Sequence, residues 1–385
     1  MAGAKNIKFR SRSEKPENIK SREREIMSEC ETMESELPGF LRPFFSYLKS
    51  NVLPRTRFAY LHDITSFCRY ITEHTDITDA EMIKEISADD LGRVTATDIN
   101  EYIDYCREYA VENKREVIVY ENSNRTLARK KSSLSVMFKQ LYRSGIVDKN
   151  ITDGFDPIRV PKAQEREIKA LHDDEVLIML QAVSTGDPLS DKERQYWRKT
   201  KKRDKAILML FITYGLRLFE LQQLNISSFN FQRDEFKIYR KRDKEAVMPL
   251  NESVTEVLKD YIDNERMPDD RIKDEDKDAL FLSLQGRRMT ERQIRELVKK
   301  YTAIGMGTSK RAGYSPHKLR ATAATSLIGR GNSIYDVQAL LDHEQVTTTQ
   351  LYAGHRFNAK RDLVSDMEWE TERKAKEKEE KENQI

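Results

Sequence analysis

Apolar residues first fall into a sustained helical rhythm at Leu37, where Phe40, Leu41, Phe44, Phe45 and Leu48 mark one buried stripe. Pro54 punctuates the chain, and a second stripe follows with Phe58, Tyr60, Leu61, Ile64, Phe67 and Tyr70. A third helix is predicted from near Thr97, with Asp98 and Ile99 ahead of Ile103. A fourth is predicted over 123–144, carrying Leu127, Leu134, Met137, Phe138 and Leu141, with Gly145 as its C-terminal stop. Residues 37–150 therefore read as a small all-helical domain. Residues 1–36 are charged and aperiodic, and read as a polar, mobile arm that turns helical near its end.

Residues 151–170 lose the rhythm and hold Pro157, Pro161 and a charged run from Lys162 to Lys169, as a linker would. A second domain is predicted over 171–355. Its helices fall near 174–183, 205–214, 254–265, 290–304, 316–329 and 333–341. A β-hairpin over 235–239 and 246–250 interrupts them across a charged turn. Residues 356–385 form a charged, helix-prone tail, and no internal repeat is evident. The fold class expected is mainly α with a small antiparallel β-sheet.

Composition narrows the class. The 385 residues suit two ordinary domains, and 38% apolar residues are enough for real cores. The mean hydropathy of −0.74 implies a large wetted surface. No run approaches the roughly 18–20 apolar residues of a membrane span, and the polar start lacks a secretory core, so a soluble, cytoplasmic protein is expected. Cys30, Cys68 and Cys106 show no metal-ligand or C-x-x-C spacing and read as reduced thiols. A net charge of +3 does not announce a polyanion partner, but 35% charged residues allow basic side chains to gather on one face. The helix over 123–144 is the clearest case, with Arg125, Arg129, Lys130, Lys131, Lys139 and Arg143, although such a face is as readily just solvated.

Three short segments carry candidate chemistry. In Tyr214-Gly215-Leu216-Arg217-Leu218-Phe219-Glu220-Leu221, one apolar helix stops at Gly215 and another begins with Arg217, which shares a face with Glu220. The guanidinium fork suits a phosphate, but a structural Arg–Glu pair has the same spacing. In Ser315-Pro316-His317-Lys318-Leu319-Arg320, Ser315 and Pro316 open a helix whose first turn carries His317 and Arg320 where anions are favoured. The third segment ends an apolar helix at Leu340-Leu341-Asp342-His343 and continues through Thr347, Thr348 and Thr349 to Tyr352. Taken singly, His317 and Tyr352 are ordinary structural residues.

In this order and spacing, the set resembles the tyrosine recombinase and integrase family. The family pattern has Arg in G-L-R-x-x-E-L, a hairpin Lys, H-x-x-R, a His, and Tyr nine residues later, as from His343 to Tyr352. The resemblance implies a helical core-binding domain before a catalytic domain. It implies catalytic roles for Arg217, Lys241, His317, Arg320, His343 and the nucleophile Tyr352, with Glu220 in support. The two arginines would clamp the scissile phosphate, His317 would act as base, Lys241 would protonate the leaving oxygen, and His343 would hydrogen-bond the phosphate. No metal and no small-molecule cofactor is called for. The partner implied is a double-stranded DNA recombination site, gripped by both domains as a clamp and bound by a homotetramer on two sites. Arg125, Arg129, Lys130 and Lys139 are DNA-binding candidates, and a cell-division or accessory protein is a further candidate partner. The tail over 356–370, with Leu363, Val364, Met367 and Trp369, is a candidate for docking on a neighbouring protomer.

Within the family the layout is most similar to Xer-type chromosome-dimer resolvases, nucleoid-associated proteins of the cytoplasm. Chain length and the long segment before Lys205 lean toward the XerS branch, which acts without a second recombinase. A mobile-element integrase or transposase and a type IB topoisomerase share the chemistry and stand as alternatives. The chain departs from the pattern at three places. Arg240 and Arg242 replace the glycines flanking Lys241, leaving Lys244 as a second candidate for the lysine. Asp342 stands where Gly is usual before His343, with consequences for that histidine's position or pKa. Ala321 follows Arg320 where His is common.

Overall fold

A computed structural model describes residues 15–112, 116–161, 168–240, 244–342 and Thr349. The chain divides into two compact units, residues 1–161 and 162–385.

In the first unit the helices are α1 (Glu17–Glu36), α2 (Arg42–Asn51), α3 (Pro54–His74), α4 (Ala88–Arg93), α5 (Ala96–Tyr105) and α6 (Asn124–Arg143). Phe44, Phe67, Tyr102, Leu134 and Phe138 are buried in its core, with Phe67 edge-on to Tyr102 at 5.2 Å between centroids. Three expectations are corrected here. The arm over 1–36 is, from Glu17, a helix packed on α3: Cys30 enters the core, and the buried Arg57 guanidinium donates to the Glu34 carboxylate at 2.6 and 2.9 Å. Its few apolar residues conceal this, because an ion pair does part of the docking. The region is not all helical, since β1 (Glu108–Glu112) and β2 (Val117–Glu121) form an antiparallel hairpin. Val117, Val119 and Tyr120 are exposed, so the strand has no apolar face to show in the pattern; Tyr109 stacks on Tyr120 at 5.3 Å across the pair instead. Part of the expected linker also belongs to this unit. Phe155 is buried in its core, and Asn124 and Lys131 donate to the carbonyls of Arg159 and Asp156.

The basic helix α6 splits into two faces. Arg125, Arg129 and Lys139 are exposed, whereas Lys130 is buried, its ammonium 3.4 Å from the hydroxyls of Ser66 and Tyr102 and 3.8 Å from Asp63. Lys130 is therefore withdrawn from the DNA-binding candidates. Asp63 organises this network from α3. Its buried carboxylate accepts from Arg129 and, at 2.7 Å, from the buried Ser133 hydroxyl.

In the second unit the order is α7 (Asp173–Thr185), α8 (Asp191–Trp197), α9 (Lys201–Tyr214), α10 (Leu218–Gln222), β3 (Phe229–Asn230), β4 (Glu235–Tyr239), β5 (Glu245–Pro249), α11 (Glu252–Asn264), α12 (Glu291–Gly305), α13 (Pro316–Gly329) and α14 (Ile334–Leu341). The sheet order is β3-β4-β5, antiparallel throughout, with Tyr239 opposite Glu245. α9 runs through the core, with Ile207, Leu210 and Phe211 fully buried. At its end Tyr214 meets Phe236 of β4 edge-on at 5.0 Å, and its hydroxyl accepts the backbone N–H of Asn251. The sheet is thereby held against the end of α9. Among the described residues no helix is long and apolar enough to cross a membrane. Cys30, Cys68 and Cys106 are buried free thiols, and burial pushes Cys68 up to about 12.

Replacing Asp63 by Ala leaves the buried Lys130 ammonium without its carboxylate; breaking a buried pair of this kind costs about 3 kcal/mol. Urea unfolding should show that loss at matched m-value, and an unchanged midpoint would mean that the network contributes nothing to stability.

Candidate active site

The site is assembled at the C-terminal end of α14. The last carbonyls of a helix lack intrahelical partners and carry its partial negative charge, so cationic donors are favoured there. Three arginines from three elements take three successive carbonyls. Arg240, at the end of β4, donates to Leu340 O at 2.8 Å. Arg320, in the first turns of α13, donates to Leu341 O. Arg217, ahead of α10, donates to Asp342 O at 3.0 Å.

Each arginine is positioned for a local reason. Arg217 is the N-cap of α10 in extended conformation rather than its first helical residue. The buried Glu220 carboxylate accepts both its backbone N–H, at 2.8 Å, and its guanidinium, at 2.7 Å. Glu220 thus satisfies the N-cap backbone N–H of α10 and orients the fork in one arrangement. Arg320 is buried and also donates to Gly215 O at 2.6 Å. Gly215 ends α9 with φ +58°, and a Cβ there would lie 2.5 Å from Leu341 Cδ2, so only glycine allows the two helix ends to meet. Arg240 is buried too, and its backbone N–H donates to Lys244 O at 2.7 Å, closing the base of the hairpin turn.

His317 occupies the first turn of α13, which starts at Pro316 with Ser315 as N-cap; the Ser315 hydroxyl makes no capping bond. The ring retains an exposed edge. Its packed surroundings, then the charges of Lys318, Arg320 and Arg217, lower its pKa below the ordinary 6.5. The imidazole is therefore neutral at neutral pH and able to accept a proton.

The structure thus brings Arg217 and Arg320 together at the end of α14, with Glu220 bound to Arg217 and His317 in the field of both arginines. Lys241, His343 and Tyr352, and the tail over 356–370, lie outside the described residues. Lys244 stands beside the site, its ammonium 3.9 Å from the Asp342 carboxylate. The role of Arg240 was not legible beforehand: the sequence showed a lost glycine, whereas the side chain ties the hairpin to α14. The only signal in the sequence was that Arg240 and Asp342 both depart from the family pattern; nothing in it placed them side by side. The remaining DNA-binding candidates, Arg125, Arg129 and Lys139, lie in the other unit. The Arg129 guanidinium is held by Asp63.

The family model described as the Phage integrase family matches residues 169–359. The chain is 31% identical over 324 residues to the tyrosine recombinase XerC of Caldanaerobacter subterraneus subsp. tengcongensis, covering 82% of each. It is 32% identical over 240 residues to XerC of Thermodesulfovibrio yellowstonii, covering 62% of this chain and 73% of the relative. Among solved structures, XerH bound to palindromic difH substrate in a post-cleavage complex aligns with a TM-score of 0.57 and 18% identity, over 90% of this chain and 89% of that one. A lambda integrase (75–356) dimer bound to a COC′ core site aligns at 0.51 and 17%, over 80% and 95%. At these identities the structural likeness bears on the fold. The type IB topoisomerase alternative gains no support from the matches, and the XerS branch is not singled out.

Gly215→Ala combines a left-handed backbone with a steric overlap at Leu341, and should destabilise the second unit by on the order of 2–4 kcal/mol. Thermal unfolding checks this, and a wild-type midpoint would show that the helix ends need not approach so closely.

Proposed function

This chain belongs to the tyrosine recombinases of the Phage integrase family and is of the Xer type, and from that premise we propose how its residues cut and rejoin DNA. The observation that carries the reading is the convergence of Arg217 and Arg320 on Leu341 and Asp342 at the end of α14, with His317 in the electrostatic field of both arginines and Asp342 directly before His343 and ten residues before Tyr352.

A phosphodiester repels nucleophiles through its own charge. Arg217 and Arg320 bind its non-bridging oxygens and neutralise the charge that builds in the transition state. His317 takes the Tyr352 phenolic proton. The Tyr352 oxygen attacks phosphorus in line, forming the 3′-phosphotyrosyl bond as the P–O5′ bond breaks. Lys241, or Lys244 in its stead, gives a proton to the leaving 5′-oxygen, and His343 hydrogen-bonds the phosphate. The covalent intermediate retains the bond energy, so a 5′-hydroxyl reverses the step without ATP. The substrate is a double-stranded recombination site, held partly through the exposed Arg125, Arg129 and Lys139, and four copies act on two sites. The biological task is chromosome-dimer resolution in the cytoplasm by one recombinase serving all four positions, as in the XerS branch. A mobile-element integrase would share every chemical step.

Two outcomes test this. A suicide substrate carrying the recombination site should give a covalent adduct on a denaturing gel that Tyr352→Phe abolishes; an adduct that survives the substitution would remove Tyr352 as nucleophile. In single-turnover cleavage the acidic limb should have its midpoint below 6.5, because His317 works unprotonated and its pKa is lowered. His317→Gln should slow cleavage by roughly 10²–10⁴-fold and abolish that limb. A midpoint above 6.5, or a limb that survives the substitution, would assign the base elsewhere.

A further inference from the structure

Asp342 is an unexpected residue to find in a phosphate-binding site. It follows the last residue of α14 in left-handed conformation, φ 51° and ψ 53°, where glycine is the easy choice. Its carboxylate is met by three cations from two segments, the start of α10 and the β4–β5 hairpin. Arg217 Nη1 lies at 3.8 Å, Arg240 Nη1 at 3.7 Å and Lys244 Nζ at 3.9 Å. All three side-chain separations exceed hydrogen-bond length, whereas the same arginines bind backbone carbonyls at 2.8 and 3.0 Å. The backbone contacts hold the arginines in place, and the carboxylate balances them loosely. Arg240 adds a second sign of unspent capacity: its Nε is buried and has no hydrogen-bond partner among the described residues.

From this geometry we propose that Asp342 is an internal counter-anion of the phosphate pocket, which a DNA phosphate must displace or outcompete. This rests on the reading of Arg217 as a phosphate ligand. The substitution of Arg for Gly at 240 and of Asp for Gly at 342 then forms one device: a cation added on the hairpin and an anion that restrains it. Without Asp342, Arg217 would keep Glu220, but the positive charge of Arg240 and Lys244 would stand unbalanced beside it and bind any backbone phosphate strongly. With Asp342 present, tight binding is reserved for DNA seated well enough to replace the carboxylate. Asp342 is a positioning and selectivity residue, not a catalytic one, and acts through Arg217, Arg240 and Lys244.

The test is binding of the full chain to a fluorescent duplex of random sequence across a salt series. Asp342→Asn keeps a residue that tolerates the left-handed conformation, and Asp342→Gly removes the side chain and any backbone strain together. Both variants should bind the random duplex about tenfold tighter at low salt, and log K against log salt should steepen by about one unit, as for one further phosphate neutralised. Wild-type slope and affinity in both variants, or weaker binding in both, would overturn the proposal. The Tyr352 adduct assay reports separately on the reaction. A steeper slope in a protein that forms no Tyr352 adduct would retain the counter-anion and discard the catalytic reading, and the reverse combination would do the opposite.

Discussion

The second unit depends on how the C-terminal carbonyls of α14 are satisfied. Leu340, Leu341 and Asp342 present consecutive acceptors, and Arg240, Arg320 and Arg217 supply the donors. These arginines come from the end of β4, from α13 and from the start of α10, so one helix terminus gives three parts of the chain a common anchor. The same bonds fix Arg217 and Arg320, the two guanidinium groups proposed to hold the scissile phosphate. Arg320 and Arg240 are buried, and burying cations is tolerable only because each finds a carbonyl at the negative end of the helix dipole. The proposed catalytic positions are thus held by contacts that the fold itself uses.

The approach of α9 to α14 makes that arrangement reachable. Gly215 stops α9, turns the chain through a left-handed residue and lets Leu341 pack where a side chain would otherwise stand. Its carbonyl then accepts from Arg320, while Glu220 sets Arg217 two residues further along. On the opposite side, the packing of Tyr214 on Phe236 brings the β-hairpin alongside, which places Arg240 and Lys244 at the same helix end. The motif G-L-R-x-x-E-L is compact because turn, cap and clamp are built from neighbouring residues.

The first unit follows different rules. Its core is aromatic and aliphatic, but α3 and α6 are also joined through Asp63, Arg129, Lys130 and Ser133. This network divides the basic residues of α6 into those that face solvent and one that serves the interior. It also shows how polar residues can hide a packed helix: α1 looks like a solvated arm, yet Cys30 and the Glu34–Arg57 pair anchor it.

The amino-acid sequence by itself determined the helix positions in the second unit apart from α8, the β4–β5 hairpin and the order of candidate catalytic residues, because local periodicity, caps and motif spacing are written along the chain. The helix predicted over 316–329 is α13, and the glycine read as the end of an apolar helix is the left-handed cap of α9. Only the tertiary structure decided features that depend on residues far apart in sequence. Lys130 looks like any surface lysine until Asp63, 67 positions earlier, Ser66 and Tyr102 enclose it. The β1–β2 hairpin has exposed valines and a cross-strand tyrosine stack instead of a buried face, so its alternation carried no burial signal. Arg240 and Asp342 read as two independent departures from a pattern. They become one electrostatic unit because the chain folds the end of β4 against the end of α14, a juxtaposition set by core packing and not by sequence distance.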